Sequence, residues 1–153
     1  MRDVIIVGAG PAENNLAGLL AAKGLDVLVV EEHQQVGDGV VCSGIVGTEA
    51  FARFPLDRDS VLGAVASFFV LGPDGSSFRY EAPRPLALVV DRRQFDASLA
   101  CWAQRQGATY FLGTRVRELR EREDALVAIS RRGDDLWHLS ARVVVLATGF
   151  GSP

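Results

Sequence analysis

The residues whose types and spacing point most directly to chemistry are Gly8-Ala9-Gly10-Pro11-Ala12-Glu13. They follow the apolar run Val4-Ile5-Ile6-Val7 and precede a helix-like pattern, the setting of a G-x-G-x-x-G turn that receives a pyrophosphate. The first glycine of such a turn permits the tight bend, and the second lets the main chain approach a phosphate. The helix that follows offers free N–H groups and a partial positive charge at its start. Gly8, Gly10, Pro11 and Ala12 are therefore candidate dinucleotide-binding residues, although two glycines alone serve a purely structural turn equally well. Where the pattern has its third glycine this chain has Glu13. A carboxylate about 5 Å from a phosphate charge, at an effective dielectric of about 20, is repelled by roughly 3 kcal/mol. In the first turn of a helix the same carboxylate gains about 0.3–1 kcal/mol from the dipole with no ligand present. Glu13 thus favours an empty site over an occupied one. Glu31 closes the next apolar run, at a position where its carboxylate can accept hydrogen bonds from ribose hydroxyls.

These residues need elements to position them. Val4-Ile5-Ile6-Val7, Val27-Leu28-Val29-Val30 and Val143-Val144-Val145-Leu146-Ala147 are apolar throughout, as strands of a parallel sheet are when both faces are covered. A helix over 12–23 lies between the first two runs, with Leu16, Leu19 and Leu20 on its apolar face and Gly24 at its end. Strand, helix and strand make a βαβ start. Residues 31–58 read as a long functional loop with at least one helical turn. Gly72-Pro73-Asp74-Gly75 between strands over 65–71 and 77–80 predicts a hairpin, and a further strand covers 86–90. A second helix over 92–106 places Phe95, Leu99, Trp102, Ala103 and Gln106 on one face before Gly107. Strands over 109–119, 125–130 and 137–141 read as an antiparallel β-meander inserted before the final strand. The expectation is one α/β domain over 1–153 with a parallel central sheet.

Composition narrows the classes. The chain has 153 residues, with 16 Lys and Arg against 19 Asp and Glu for a net charge of −3, and is 48% apolar and 23% charged. That is enough apolar material for a core. There is no basic block of the kind that binds nucleic acid. The apolar runs are too short to span a bilayer, no signal peptide is evident, and a cytoplasmic location is the expectation. Cys42 and Cys101 have no partner at metal-ligand or disulfide-framework spacing, so no metal is expected. His33 and His138 are isolated and expected at the surface, and 115–124 reads as a solvated strand end and turn.

The segment 3–32, the loop Val41-Cys42-Ser43-Gly44-Ile45, the stretch Val90-Asp91-Arg92-Arg93-Gln94-Phe95-Asp96 and the closing Leu146-Ala147-Thr148-Gly149 together resemble the FAD-binding part of the geranylgeranyl reductase family. That family sits within the wider flavoprotein class that includes aromatic hydroxylases. The resemblance implies a Rossmann-like FAD-binding fold, FAD as cofactor, and NADPH or another donor as the electron source. It also implies an isoprenoid or other small-molecule substrate whose carbon–carbon double bonds are reduced, and with it a peripheral membrane contact of the complete protein. By the same resemblance Arg92 contacts the FAD, Glu32 joins Glu31 in the cofactor site, and the main chain at Val116 lies against the adenine. Ala147, Thr148 and Gly149 end the last strand beside the cofactor. Cys42 becomes the flavin-side catalytic candidate; its other reading is a small buried loop cysteine, inert without an electropositive surround. Arg92 and Arg93 have their own alternative as solvated helix-start arginines. The family's later glycine-aspartate segment and substrate-binding part are not found within 1–153, so the sequence reads as truncated. A flavin-dependent aromatic monooxygenase and a cofactor-free, inactive fragment remain the alternative functions.

Overall fold

A computed structural model describes residues 1–149; the last four residues of the expected 1–153 domain lie outside it. In chain order the elements are β1 (Arg2–Val7), α1 (Pro11–Ala21), β2 (Val27–Val30), β3 (Ile45–Gly47), α2 (Ala50–Arg53), β4 (Val61–Val65), β5 (Ser67–Leu71) and β6 (Ser77–Glu81). They continue as β7 (Ala87–Val90), α3 (Arg92–Arg105), β8 (Thr109–Phe111), β9 (Arg115–Arg122), β10 (Ala125–Arg132) and β11 (Asp135–Leu146). The main sheet has the order β8-β2-β1-β11-β10-β9. Strands β8, β2, β1 and β11 run parallel, and β10 and β9 extend the sheet antiparallel.

Alternation along β1 and β2 feeds two separate cores. Val4, Ile6, Val27 and Val29 pack with Ala17 and Ala21 of α1 and Ala103 of α3. Ile5, Val7, Leu28 and Val30 face the other way and pack against Ala141, Phe111, Val116 and Leu139. Both faces are covered, by helices on one side and by side chains of β8, β9 and β11 on the other, which is why these short strands need no polar positions. The run 143–147 differs. Val143 and Leu146 are 50% and 61% exposed, so the expectation of a strand buried on both faces is corrected for β11.

The expected meander is also redrawn. Residues 109–119 divide into β8 and β9 at a turn through Gly113, which takes a φ of 64°. Residues 137–141 and 143–146 belong to one 12-residue strand, β11, which pairs with β10 at one end and β1 at the other. The meander is thus continuous with the main sheet. Residues 115–122 are strand β9, largely exposed, and 123–124 the turn after it, in line with the solvated strand end and turn expected there.

Helix α1 buries a face shifted from the expected leucine stripe, of which Leu16 and Leu20 pack part-buried against the same core. Its buried residues are Asn14, Ala17, Gly18 and Ala21, while Leu19 is 49% exposed. The reason is the closeness of α3: a Cβ at Gly18 would run into the Trp102 ring, so small residues occupy this contact. Gly18→Ala should gain up to about 1 kcal/mol of helix propensity but lose about 1–3 kcal/mol to overpacking. We expect a net destabilisation of about 1 kcal/mol in urea unfolding. It should vanish in the background of Trp102→Leu, the coupling a double-mutant cycle reads. Helix α3 begins where Asp91 caps it, its Oδ1 accepting from the N–H groups of Arg93 and Gln94 at 2.9 and 3.2 Å.

Two smaller sheets complete the fold. Strands β3, β7 and β4 form one, in that order, over a core of Phe51, Val90, Phe95 and Leu99. The expected hairpin is β5 and β6, a separate two-stranded ribbon exposed at every residue. No helix among the described residues is long and apolar enough to cross a membrane.

Candidate functional site

The carboxyl ends of β1, β2 and β11 bring the glycine turn, Glu31 and the 147–149 segment together. Gly8 sits at a φ of 107°, and a Cβ on it would lie 2.5 Å from the Ala147 carbonyl oxygen. The Ala147 N–H donates to the Val7 carbonyl at 3.1 Å, and the Gly8 N–H to that of Val30 at 2.9 Å. The first glycine is therefore required by the close passage of 147–148 as well as by the turn. Gly10 is the N-cap of α1 and Pro11 its first residue, and no side chain caps the helix. First-turn N–H groups lack intrahelical acceptors in any helix, so this N-terminus is open to an acceptor from outside.

Glu31 is fixed beside the turn. Its Oε2 accepts from the Ala9 N–H at 2.9 Å, and its Oε1 accepts from the His33 N–H at 2.9 Å and lies 2.6 Å from His33 Nδ1. His33 is at the surface as expected, but it is tied to Glu31, an arrangement its isolation in sequence did not reveal. Glu32 stands apart from the turn, paired with Arg115 at 3.3 Å. The Val116 side chain packs into the core beneath the sheet, so only its main chain is left to meet a ligand. Thr148 and Gly149 follow Ala147 at the end of β11 and are exposed.

Glu13 folds back on the turn. Its Oε2 lies 2.6 Å from the point a Cβ on Gly10 would occupy, on the side of the second glycine.

A second cluster adjoins α1. A cleft of about 300 Å³ is lined by Pro11 and Ala12, by the apolar Phe54 and Leu56, and by Cys42 and Arg92. Gly44 allows the Cys42 loop to lie here: its φ is 72°, and its carbonyl accepts from the Val90 N–H at 2.9 Å. Cys42 is exposed, which corrects the reading of a buried, inert cysteine. The Gly44 N–H and, after it, the Arg92 guanidinium hold its thiol below the ordinary range, the electropositive surround that reactive cysteines share. Cys101 is exposed on α3.

Arg92 is half-buried, and its fork is engaged. Its Nε and Nη2 donate to Asp96 Oδ1 and Oδ2, both at 3.0 Å. This replaces the solvated reading for Arg92, while Arg93 is 68% exposed and pairs with Asp38. Asp96 is only 1% exposed, and burial raises its carboxyl despite the opposing effect of Arg92. Asn14, fully buried, donates from Nδ2 to the carbonyls of Ala9 and Asp96 at 2.9 and 3.3 Å and accepts from the Tyr110 hydroxyl at 2.7 Å. It ties the glycine turn to α3 and β8. Neither Asp96 nor Asn14 stands out in the sequence; the only signal was the four-residue spacing of Arg92 and Asp96 on a helix.

Set beside known proteins, residues 2–153 match the model of the pyridine nucleotide-disulphide oxidoreductase family. A digeranylgeranylglycerophospholipid reductase of Methanocella arvoryzae is 32% identical over 98% of this chain and 40% of its own length. One of Methanosarcina mazei is 31% identical over 95% and 36%. The chain thus spans about 40% of the length of the first of these curated relatives. Among solved structures, a geranylgeranyl bacteriochlorophyll reductase-like protein from Thermoplasma acidophilum superposes with a TM-score of 0.86 at 24% identity, over 97% of this chain and 39% of that one. A variant of the halogenase PltM, solved in complex with FAD, gives 0.75 at 21% identity, over 99% and 35%. These likenesses carry the fold.

Proposed function

Because the chain belongs to the pyridine nucleotide-disulphide oxidoreductase family, we propose that it binds FAD and forms the cofactor-binding part of an enzyme that reduces carbon–carbon double bonds of prenyl groups. The observation that carries the FAD reading is Glu31, oriented at the end of β2 by the N–H of Ala9 within the glycine turn. The uncapped start of α1 and the glycines at 8 and 10 fit the phosphates of a dinucleotide; Glu13 alone opposes them. The prenyl reading rests on the digeranylgeranylglycerophospholipid reductases that this chain resembles over nearly its whole length.

In this reading Glu31, with Glu32 near it, serves the adenosine end, and its remaining lone pairs accept from the ribose. The N–H groups at Ala12 and Glu13 face the pyrophosphate, and the main chain at Val116 borders the adenine. Arg92 and the 147–149 segment flank the cofactor, and Cys42 is its polar neighbour on the reacting side. The apolar side chains of the cleft exclude water there. FAD, when bound, supplies the hydride, with NADPH or another donor as its source of electrons. The substrate is an isoprenoid lipid or pigment precursor, which brings the complete protein to a membrane surface.

Bound flavin colours a protein yellow, so the visible spectrum of the purified chain and a flavin-fluorescence titration test cofactor binding directly. Glu31→Ala should weaken FAD by about 1.5–3 kcal/mol, the range of hydrogen bonds to a charged acceptor. A change of a few tenths would move the adenosine site elsewhere. For the complete protein, mass spectrometry of a prenyl lipid incubated with FAD and reductant should show two hydrogens gained per double bond. An oxygenated product with oxygen consumption would favour a monooxygenase instead.

A further inference from the structure

We propose that Asp96 is a positioning residue: it holds the Arg92 guanidinium in one orientation against the Cys42 side of the cleft, where its charge favours the Cys42 thiolate. The proposal deepens the reading of this cleft as the reacting side, but its chemistry is present in the chain without any flavin.

Three observations support it. First, Arg92 meets Asp96 through two parallel hydrogen bonds of 3.0 Å, from Nε and Nη2. That bidentate fork fixes the plane of the guanidinium as well as its position, and leaves Nη1 for other partners. Second, Asp96 is itself immobilised. Its side chain is 2% exposed, and its main-chain carbonyl accepts from Asn14, which also holds the Ala9 carbonyl of the glycine turn. Third, Arg92 and Cys42 line the same cleft, where the Gly44 N–H and, after it, the Arg92 guanidinium and the Ser43 hydroxyl favour the thiolate. Arg93, the nearest other cation along α3, is turned to Asp38. Arg92 is thus the charge that reaches Cys42, and Asp96 is what keeps it there.

The thiolate is the form that reacts with alkylating reagents, so iodoacetamide labelling followed across pH by peptide mass spectrometry reads the ionisation of Cys42. Cys101, exposed and outside the cleft, is the internal reference in the same sample. Two opposite effects are possible in Asp96→Asn. If Asp96 positions Arg92, its loss frees the guanidinium, the labelling midpoint of Cys42 moves up, and its rate at pH 7 falls several-fold. If Asp96 only neutralises Arg92, removing the anion exposes Cys42 to more positive charge, and the midpoint moves down. A downward or absent shift overturns the proposal.

Arg92→Lys provides the second arm, because Arg92 is partly exposed and the substitution keeps a charge while losing the fork. The midpoint should again rise; an unchanged profile would mean that any cation at position 92 suffices, and would also overturn the proposal. Far-ultraviolet circular dichroism on each variant establishes that the fold is retained. FAD titration of the unsubstituted chain is scored separately: failure to bind flavin there, with the labelling shift intact in the variants, counts against the cofactor reading, not against the role of Asp96.

Discussion

Replacing Glu13 by Gln should tighten FAD binding by roughly 3 kcal/mol, on the order of a hundredfold in Kd. The side chain is turned back over the second glycine of the turn, its Oε2 2.6 Å from where a Cβ on Gly10 would be. In the proposed reading a pyrophosphate approaches this face, where the carboxylate opposes it by charge and by volume together. Gln keeps nearly the same volume and removes the charge, whereas Gly removes both. Recovery with Gln assigns the barrier to electrostatics; recovery only with Gly assigns it to packing. Stability should move the other way. The loss of a first-turn carboxylate costs about 0.3–1 kcal/mol of interaction with the helix dipole, and a glycine inside the helix costs about 1 kcal/mol more. Flavin-fluorescence titration and thermal unfolding of the three proteins make the comparison. Equal FAD affinity in all three would show that the side chain swings clear of the ligand at no cost.

Gly8→Ala should be among the most damaging single substitutions for the fold, at about 3 kcal/mol in urea unfolding. One part of that is backbone strain, since Gly8 has a φ of 107° and a residue with a Cβ resists that region by about 1–2 kcal/mol. The other part is overpacking: the new Cβ would sit 2.5 Å from the Ala147 carbonyl oxygen, and inserted methyl groups in packed sites cost about 1–3 kcal/mol. Gly24→Ala isolates the first part, because Gly24 has a φ of 83° and a Cβ added there would meet nothing within 4 Å. The difference between the two variants measures how firmly 147–148 is held against the turn. If both cost the same, the end of β11 yields readily, and Gly8 is required by conformation alone.

Much of the architecture was legible in the chain because it rests on local rules. Four-residue runs of Val, Ile and Leu marked β1 and β2, and the apolar stripe of Phe95, Leu99, Trp102 and Ala103 before Gly107 marked α3. Gly72-Pro73-Asp74-Gly75 gave the hairpin. The glycine turn, Glu31 and Glu13 were likewise readable as candidates, since their relation to one another is set within one βαβ unit. Errors arose where a distant element decides. Which face of α1 is buried depends on α3, far along the chain, through the contact of Gly18 with Trp102. The small residues that permit that approach carry a weaker hydrophobic signal than Leu16, Leu19 and Leu20.

The same distinction divides the site. The order of strand, glycine turn, helix and acidic strand end follows from the chain alone, because residues close in the chain and bound by helix and strand periodicity have little freedom in how they meet. So does the replacement of the third glycine by a carboxylate. Packing between distant segments is what places Glu31 against Ala9 and His33, passes Ala147 close over Gly8, and clamps Arg92 with a buried Asp96 on the cleft it shares with Cys42. Side-chain partners are selected by burial, which deprives polar groups of water and leaves them to whatever donor or acceptor the packing brings near. That choice is made by the whole fold at once, and no local pattern carries it.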